Sequence, residues 1–544
     1  MFLSRLSLIA FFFSFLMMRC HGNTDTNNGD DQFKTDLLRT NTDTSLQGIS
    51  HPLSGIEFDS NQVERFLVKF PEFRDYSREF RNFYRSRSYN YAWYDDQGLI
   101  EPAHVLLAHL QTSDSIGLPM KIPYRDTLQK LFHYDDHAED LNHLKPDITS
   151  ELLLTGQYFH YAKVKYGQRL SASQEDLQWY LPRKKLNYEQ LLEKTLAGED
   201  VDKVAEGEMN RQFNALRKEL KRYRDIAGTN PDPLEPISVS KPLKPGDSSS
   251  AVIAVRKRLH LYGFLSSAEG NDIYDKNLGV AVNRYKKTQG MKQDSLVTGE
   301  MAASLNVPVR KRIEQLLTNM ERFRWMPKIP HEGEFIFVNI PEYRLHYFES
   351  GKNTWDCNVV VGKPMNKTVI FSGDIKHVVF SPYWYVPPSI VSKEVRPGMN
   401  RNPNYLASHH MEWNGGNVRQ KPGPANSLGL VKFIFPNSNN IYLHDTPSKS
   451  LFNEDNRAFS HGCVRVGEPK ALAIRILRDE PAWTPEKIGT AMNSGVEKFV
   501  PVKKKLPVLI GYFTAFIDKD GDLNFRKDIY GRDDRLFSMI SGSK

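Results

Sequence analysis

The hydrophobic period of the chain changes near residue 334, and this change constrains the fold more than any other feature of the sequence. Between about residues 51 and 235 apolar residues recur mostly three and four positions apart, which is typical of amphipathic helices, and one such run contains Leu192, Leu196 and Val201. From Glu334 onward they alternate with polar residues, as in EFIFVNIPEYRLHYF, which is typical of half-buried strands. Helices followed by strands predict an α+β fold with several domains.

A stretch rich in Pro, Ser and Gly, residues 230–250, predicts a linker after the first helical region. Three short helical runs follow it, and the first ends at Gly263, a residue suited to a helix C-terminus. This unit resembles the small peptidoglycan-binding module, with matches at Gly246-Asp247, Tyr262-Gly263, Tyr274-Asp275 and Thr298-Gly299. The segments RYKKTQG and Ser295-Leu296 depart from the module's usual pattern, so a packing role with little glycan affinity is an open alternative.

An apolar run from Leu6 to Met18 follows Arg5 and precedes the polar stretch NTDTNNGDDQ. The run is too short to span a bilayer comfortably and is typical of a secretory signal peptide. An uncleaved N-terminal anchor and a lipid anchor on Cys20 are the alternatives. We therefore expect an exported protein that associates with a membrane only through its N-terminus.

The formal net charge of +8 and a pI near 9.0 predict an anionic partner, which could be nucleic acid, a membrane surface or an acidic polymer such as cell wall. The sequence contains neither a recognisable nucleic-acid-binding module nor interleaved basic and aromatic residues. Because export also disfavours nucleic acid, we expect no nucleic-acid partner.

The segment SHGCVRV contains a candidate nucleophile, Cys463. A free cysteine has a pKa of about 8.5, so a reactive thiolate needs a neighbouring base. The candidates are His461 in the same turn and His444, which lies 463 − 444 = 19 residues upstream in NIYLHDTP. If the chain returns beside the strand of His444, the imidazole can approach the sulfur. The amides of Gly462 and Cys463 are suited to an oxyanion, and we expect a helix directly after the cysteine to favour the thiolate.

A second exported cysteine, Cys357, lies in the β-rich run TWDCNVVVG, where an isolated cysteine is expected to pack as a hydrophobe. A disulfide between Cys357 and Cys463 stays open in an oxidising compartment.

Three aspartates, Asp518, Asp520 and Asp522, alternate along the sequence as they do in a calcium-binding loop. The glycine and glutamate that an EF-hand needs at its sixth and twelfth positions are missing. The pattern favours a hairpin turn at Gly521 instead.

The combined motif IYLHDTP…SHGCVRV resembles the signature of the YkuD-type L,D-transpeptidases, and SPYWYVPPSI and PGPANSLGLVKFIFPN resemble their long, multi-domain Gram-negative members. The resemblance implies a periplasmic enzyme with a helical scaffold, a peptidoglycan-binding-like module and a β-rich catalytic domain. The expected boundaries are a signal peptide at 1–22, a flexible tether at 23–50, the scaffold at 51–235, linker and module at 236–308, a connecting helix at 309–330, the catalytic domain at 331–531 with a lid at about 389–420, and a C-terminal tail at 532–544.

The resemblance also implies a mechanism. A thiolate attacks the carbonyl between a diamino acid and the terminal D-Ala of a peptidoglycan stem, releases D-Ala, and passes the acyl group to a neighbouring stem as a 3-3 cross-link. It implies that Cys463 is the nucleophile and His444 the base, with His461 and Gly462 at the oxyanion site. Ser460 and Arg465 are expected to support the turn, and Arg465 could instead bind a substrate carboxylate. Tyr442 and Trp384 are expected to line the substrate groove. The expected partners are peptidoglycan stem peptides and glycan; a carbapenem adduct is expected, and no metal or organic cofactor is.

Two alternatives remain open at this point. Hydrolysis of the same acyl-enzyme would make the protein an L,D-carboxypeptidase, and transfer to another amine would attach a protein to the wall. A wall-binding protein that retains the fold without catalysis belongs to a different class. It is disfavoured because Cys463, His444 and Gly462 are all present.

Overall fold

The computed structural model describes residues 53–111, 121–132 and 145–541, apart from 168–169, 171–172, 182, 184, 201–202, 204–206, 208, 231–232 and 327–332. The predicted signal peptide and flexible tether lie outside the described residues, as do Cys20 and Val201. Within the described ranges, no helix combines the length and the apolar character needed to cross a membrane.

Helices dominate the described residues before Trp325, as the sequence period predicts. The central one, Ile148–Lys165, is buried on nearly all sides, and the side chain of Asp147 caps it by accepting from Ser150 N. The bounds of this region are α1 Asn61–Lys69, α2 Ser77–Ser86, β1 Tyr94–Asp95, β2 Gly98–Leu99, α3 Glu101–Gln111, α4 Arg125–Phe132, α5 Ile148–Lys165, α6 Gln174–Leu177, α7 Tyr188–Leu196 and α8 Arg211–Thr229, with a 3-10 helix at Pro71–Tyr76.

The helical run predicted to reach Val201 ends earlier, at Leu196. Gly198, two residues beyond, has φ +88, a left-handed conformation that stops the helix.

Three helices follow the linker, α9 Ser250–Leu261, α10 Lys276–Thr288 and α11 Gly299–Leu305, and a long helix, α12 Val309–Trp325, connects them to the sheet. The prediction that Gly263 ends the first of them agrees with its φ of +80 and with the hydrogen bond from Phe264 N to Leu259 O. Charged contacts join α10 to the C-terminal part of the chain: Arg284 pairs with Asp522 at 2.5 Å, and Lys287 pairs with Asp520 at 2.6 Å.

A curled sheet of eleven strands forms the region after Gly333, so the α+β prediction is confirmed. The strands are β3 Glu334–Asn339, β4 Arg344–Glu349, β5 Lys352–Gly362, β6 Phe371–Asp374, β7 His377–Phe380, β11 Val431–Ile434, β12 Leu443–His444, β13 Ala458–Ser460, β14 Val464–Val466, β15 Lys498–Pro501 and β16 Pro507–Gly511. Their order across the sheet is β15-β7-β11-β12-β14-β5-β4-β3-β16-β6, with β13 added beside β5.

A separate small subdomain, here called the lid, is inserted between β7 and β11. The insertion predicted at about 389–420 begins with β8 Trp384–Tyr385, which pairs with β10 Asn417–Gln420, itself paired with β9 Met411–Asn414. Its helical part comprises α13 Pro388–Ile390, a π-helical turn Val391–Val395, α14 Arg396–Arg401 and α15 Tyr405–Ser408. Val386, Val395 and Val418 form a hydrophobic cluster distinct from the main core.

Two helices complete the sheet region, α16 Pro469–Ile476 and α17 Pro485–Met492, and a hairpin of β17 Ala515–Ile517 and β18 Leu523–Phe525 follows it. The predicted hairpin is confirmed, since β17 and β18 pair antiparallel and Gly521 in their turn has φ +84. The predicted C-terminal tail contains α18 Asp533–Ser541, held to α12 by Arg322 and Asp533 at 2.7 Å.

Candidate active site

Two short parallel strands bring the predicted nucleophile and base to one edge of the sheet. Leu443 of β12 pairs with Val464 of β14, and His444 pairs with Arg465. The same register sets Tyr442 beside Cys463, where Val464 N donates to Tyr442 O at 3.2 Å. Because side chains alternate along a strand, Cys463 and Arg465 share a face with Tyr442 and His444. The return of the chain beside this strand, which the sequence analysis required, is therefore present.

The turn before Cys463 is held by its own serine. Ser460 is buried, its Oγ donates to Cys463 O at 2.6 Å, and it accepts from Gly462 N at 3.1 Å. Gly462 has φ +122, a left-handed conformation that favours glycine. The amide of Gly462 is thus occupied, whereas the amide of Cys463 has no acceptor among the described residues. The oxyanion donor that this turn offers is the Cys463 amide, and not the pair of amides expected from the sequence.

A second brace comes from residues that the sequence analysis did not identify. The buried Thr368 hydroxyl donates to Gly462 O at 2.8 Å and accepts from Gly362 N at 2.9 Å. The Tyr530 hydroxyl accepts from Thr368 N at 3.2 Å and donates to Gly362 O at 2.7 Å. These hydroxyls fix the turn to the end of β5, and no local sequence pattern marks them.

The thiol of Cys463 is surrounded by aromatic and backbone groups. Its Sγ lies 3.8 Å from Asn440 O. Burial and the neighbouring Cys463 raise the pKa of the Tyr442 hydroxyl, while Trp384 opposes that shift. Burial raises the pKa of the thiol, while the neighbouring Tyr442 and then the charge of Arg465 oppose that shift. The ground state at neutral pH is therefore a thiol, and the expected thiolate must form during the reaction.

His444 is buried and its imidazole has a defined tautomer. Nδ1 lies 2.5 Å from Asp445 O, and because a carbonyl only accepts, Nδ1 carries the proton and Nε2 is the free base. Burial, followed by the positive charge of Arg465, lowers the pKa of His444 to about 3. The Asp445 carboxylate holds this strand end by accepting from Thr446 N at 2.7 Å and Leu430 N at 2.9 Å.

The imidazole does not touch the thiol in this state. His444 is the diagonal neighbour of Cys463 across the two strands, and no hydrogen bond joins the two side chains among the described residues. Catalytic hydrogen bonds are often long before substrate binds, so the absence of this hydrogen bond is compatible with His444 as the base for Cys463.

Arg465 brings an uncompensated positive charge to the same face. No carboxylate of the described residues lies within salt-bridge range of it, and its buried Nε has no hydrogen-bond partner there. Its charge acts on both Cys463 and His444. A substrate carboxylate would complete its coordination.

His461 is exposed and faces the lid. Its Nε2 lies 3.0 Å from Glu394 Oε1 in the π-helical turn of the lid. The side chain thus links the nucleophile turn to the lid, while its backbone remains part of the turn.

Two further expectations are resolved by the structure. Cys357 and Cys463 are both free, so the disulfide alternative is wrong. The helix expected directly after Cys463 begins only at Pro469, because β14 comes first, so a helix dipole does not act on the thiol as expected.

Comparison with protein families supports this interpretation of the fold. Residues 333–491 match the YkuD model, described as the L,D-transpeptidase catalytic domain, and residues 78–220 match a model described as a scaffold domain. The resemblance inferred from the sequence motifs is therefore confirmed.

Individual proteins give the same family name. A Haemophilus influenzae protein named "Putative L,D-transpeptidase" is 32% identical over 301 residues, which cover 51% of this chain and 58% of that protein's length. Among solved structures, an L,D-transpeptidase from Xylanimonas cellulosilytica shares 16% identity over 51% of this chain and 100% of its own, with a TM-score of 0.18. L,D-transpeptidase 1 of Mycobacterium tuberculosis shares 12% identity over 34% and 63%, with a TM-score of 0.16. At such TM-scores these two structures add nothing to the family match.

Proposed function

Because this chain carries the catalytic domain of the YkuD-type L,D-transpeptidases, we propose that it is a cysteine-dependent enzyme that forms 3-3 cross-links between peptidoglycan stem peptides. The observation that carries the proposal is the shared face of Cys463, His444 and Arg465, next to an amide of Cys463 without an acceptor among the described residues. We also propose that the protein is exported to the periplasm.

In the first half-reaction the thiol proton of Cys463 moves to Nε2 of His444 as sulfur attacks the carbonyl carbon of the bond that precedes the terminal D-Ala. The Cys463 amide donates to the tetrahedral oxyanion. When the C–N bond breaks, the imidazolium returns the proton to the departing amine of D-Ala, and a thioester remains.

In the second half-reaction the amine of a neighbouring stem attacks the thioester and gives a proton to His444. As the C–S bond breaks, the imidazolium returns that proton to the sulfur of Cys463. Arg465 is proposed to bind a stem carboxylate, and Tyr442 and Trp384 to line the groove that holds the stem. Before substrate binds, both the thiol of Cys463 and the imidazole of His444 are neutral. An imidazolium would be repelled by the neighbouring Arg465, so the neutral pair is the favoured resting state.

Product analysis tests the proposal. Purified protein is incubated with tetrapeptide-bearing muropeptides, and products are identified by mass. We expect 3-3 linked dimers and free D-Ala, with neither formed by Cys463→Ala. Tripeptides without dimers would instead establish an L,D-carboxypeptidase, and unchanged substrate would support the wall-binding alternative. Intact-mass detection of a carbapenem adduct that Cys463→Ala lacks would locate the nucleophile directly.

A further inference from the structure

The two ends of the lid meet at one buried asparagine. Asn426 is 1% exposed and lies in the segment that leads from β10 to β11. Its Nδ2 donates to Pro382 O at 3.1 Å, just before β8, where the lid begins. The same amide donates to Gln420 O at 3.3 Å and to Lys421 O at 2.9 Å, where the lid ends. One side chain thus joins the entry and the exit of the inserted subdomain.

The acceptor groups of Asn426 hold the segment that follows it. Its Oδ1 accepts from Leu428 N at 2.8 Å, and its backbone carbonyl accepts from Gly429 N at 2.8 Å. Gln420 at the end of the lid adds another contact, because its Oε1 accepts from Ser427 N at 2.8 Å. Buried polar groups are costly to leave without a partner, so these bonds fix residues 426–429 to the end of the lid.

The same segment contacts the residue that sets the tautomer of His444. Leu430 N donates to the Asp445 carboxylate at 2.9 Å, and Asp445 N donates to Val431 O at 2.9 Å. The carbonyl of Asp445 accepts the Nδ1 proton of His444. A shift of residues 429–431 relative to β12 would therefore move the acceptor that orients the imidazole.

Gly429 packs directly against this carboxylate. A Cβ atom built on Gly429 would lie 2.4 Å from both Cγ and Oδ2 of Asp445, and its φ of +61 itself favours glycine. Only 429 − 426 = 3 residues separate this contact from the side chain that holds the lid. Because protein interiors are close-packed and pass strain on to their neighbours, a displacement at Asn426 has little room to be absorbed before it reaches Asp445.

From these contacts we infer that Asn426 is a positioning residue, which fixes both ends of the lid to the segment that orients His444. This role, which rests on the proposed function, needs no contact with substrate, since Asn426 acts through Leu430 and Asp445. Trp384, proposed to line the groove, lies two residues after Pro382, at the end of the lid that Asn426 holds. The asparagine therefore keeps a wall of the groove and the base in one frame.

Hydrogen exchange on the full chain tests this coupling without any chemistry. Asn426→Ala should raise amide exchange about tenfold, as for the loss of one buried hydrogen bond, both in lid residues 384–420 and in residues 442–447 around His444. The matched control is Asn339→Ala, which removes an amide that is also 1% exposed and that bonds to Phe513 N and Phe513 O, and it should leave both segments unchanged. Faster exchange in the lid alone, or in neither segment, would overturn the inference.

Carbapenem acylation separates a positioning role from a purely structural one. At a temperature where the variants are fully folded, Asn426→Ala should lower the maximal acylation rate about 10- to 100-fold, because a misplacement of about 1 Å has an effect of that size. It should also raise the carbapenem concentration that gives half the maximal rate, whereas Asn339→Ala should retain both values. Alkylation of Cys463 by iodoacetamide, which does not need the base, should not slow. An unchanged maximal rate in folded Asn426→Ala would refute the positioning role.

A milder variant decides if Asn426→Ala does not fold. Gln420→Ala removes the acceptor of Ser427 N and keeps Asn426, so it should change exchange and acylation in the same directions by a smaller factor. No change in either measurement would count against the inference. Wild-type protein that no carbapenem acylates would overturn the proposed function and with it the role in catalysis, while the coupling of the lid to His444 would still stand or fall by hydrogen exchange.

Discussion

The two cysteines of the sheet occupy adjoining elements, Cys357 inside β5 and Cys463 just before β14, yet their surroundings differ completely. Arg465 pairs with Val360, so Cys463 and Cys357 lie on opposite faces of the sheet. Burial raises the pKa of Cys357 to about 12. The pKa of Cys463 is also raised by burial, but Tyr442 and Arg465 counter that effect. Position in the ladder, rather than burial alone, thus separates a packing cysteine from the proposed nucleophile.

The test with the largest expected effect on this comparison replaces each cysteine in turn. Cys463→Ala should lower the rate of cross-link formation by more than about 1000-fold, as expected for loss of a nucleophile. Cys357→Ala serves as the matched control, and it should retain the activity while it loses about 1 kcal/mol of unfolding free energy through the small cavity. Rates come from the muropeptide assay and stability from thermal unfolding. A similar loss of activity in both variants would erase the distinction between the two sites.

The next test concerns the imidazole. His444→Ala should slow acylation about 100-fold or more, the usual contribution of a general base. In the wild-type protein, a pKa of about 3 keeps His444 neutral down to that pH, and the pKa of the thiol is raised, so acylation should show no acid limb near 6.5 and should stay level across neutral pH. The readout is the pH dependence of carbapenem acylation by intact mass. A limb at about pH 6.5, the ordinary pKa of histidine, would contradict the proposed charge state of His444.

A third test removes the cation that distinguishes the surroundings of Cys463. Arg465 lowers the pKa of the thiol, so Arg465→Gln should raise that pKa and slow alkylation of Cys463 at neutral pH about tenfold, because less of the sulfur is then thiolate. Alkylation by iodoacetamide is followed against pH in a Cys357→Ala background. Arg465→Lys keeps the charge and should restore most of the rate, whereas equal profiles for Gln and Lys would exclude an electrostatic role.

The smallest expected effect is at the second brace of the turn. Thr368→Val removes the hydroxyl that joins Gly462 O to Gly362 N and should cost about 1–3 kcal/mol, because both backbone groups lose a buried partner. Acylation should fall along with stability, since the turn carries the Cys463 amide. Thr368→Ser, which retains the hydroxyl, is the control. Unchanged unfolding in Thr368→Val would show that the brace does not hold the turn.

Much of the site could be predicted from sequence because its parts are local. The alternation around Leu443 put Tyr442 and His444 on one face, and their approach to Cys463 was made conditional on a return of the chain, which the pairing of β12 with β14 provides. The brace could not be predicted, because Thr368 and Tyr530 lie far from Cys463 in sequence. A single hydroxyl-bearing residue also forms no periodic or motif pattern that would mark it. The helix expected after Cys463 was wrong for a related reason, since the pairing of β14 with β5 and β12 extends the chain first.

A cavity of about 1670 Å³ over strands β3, β4 and β5 shows the same limit at a larger scale. The alternation of β3 and β4 predicts two faces for each strand, but only the tertiary structure shows that the hairpin of β17 and β18 closes over one of them. The hairpin itself was predicted from Gly521. Its carboxylates were assigned to no partner by the sequence, and in the structure they pair with Arg284 and Lys287 of α10.

The lid has its own cluster of Val386, Val395 and Val418, separate from the core beneath Cys463. Substitutions at these three valines should therefore change the stability of the lid without repacking the core beneath Cys463, so the two parts of the molecule can be altered one at a time.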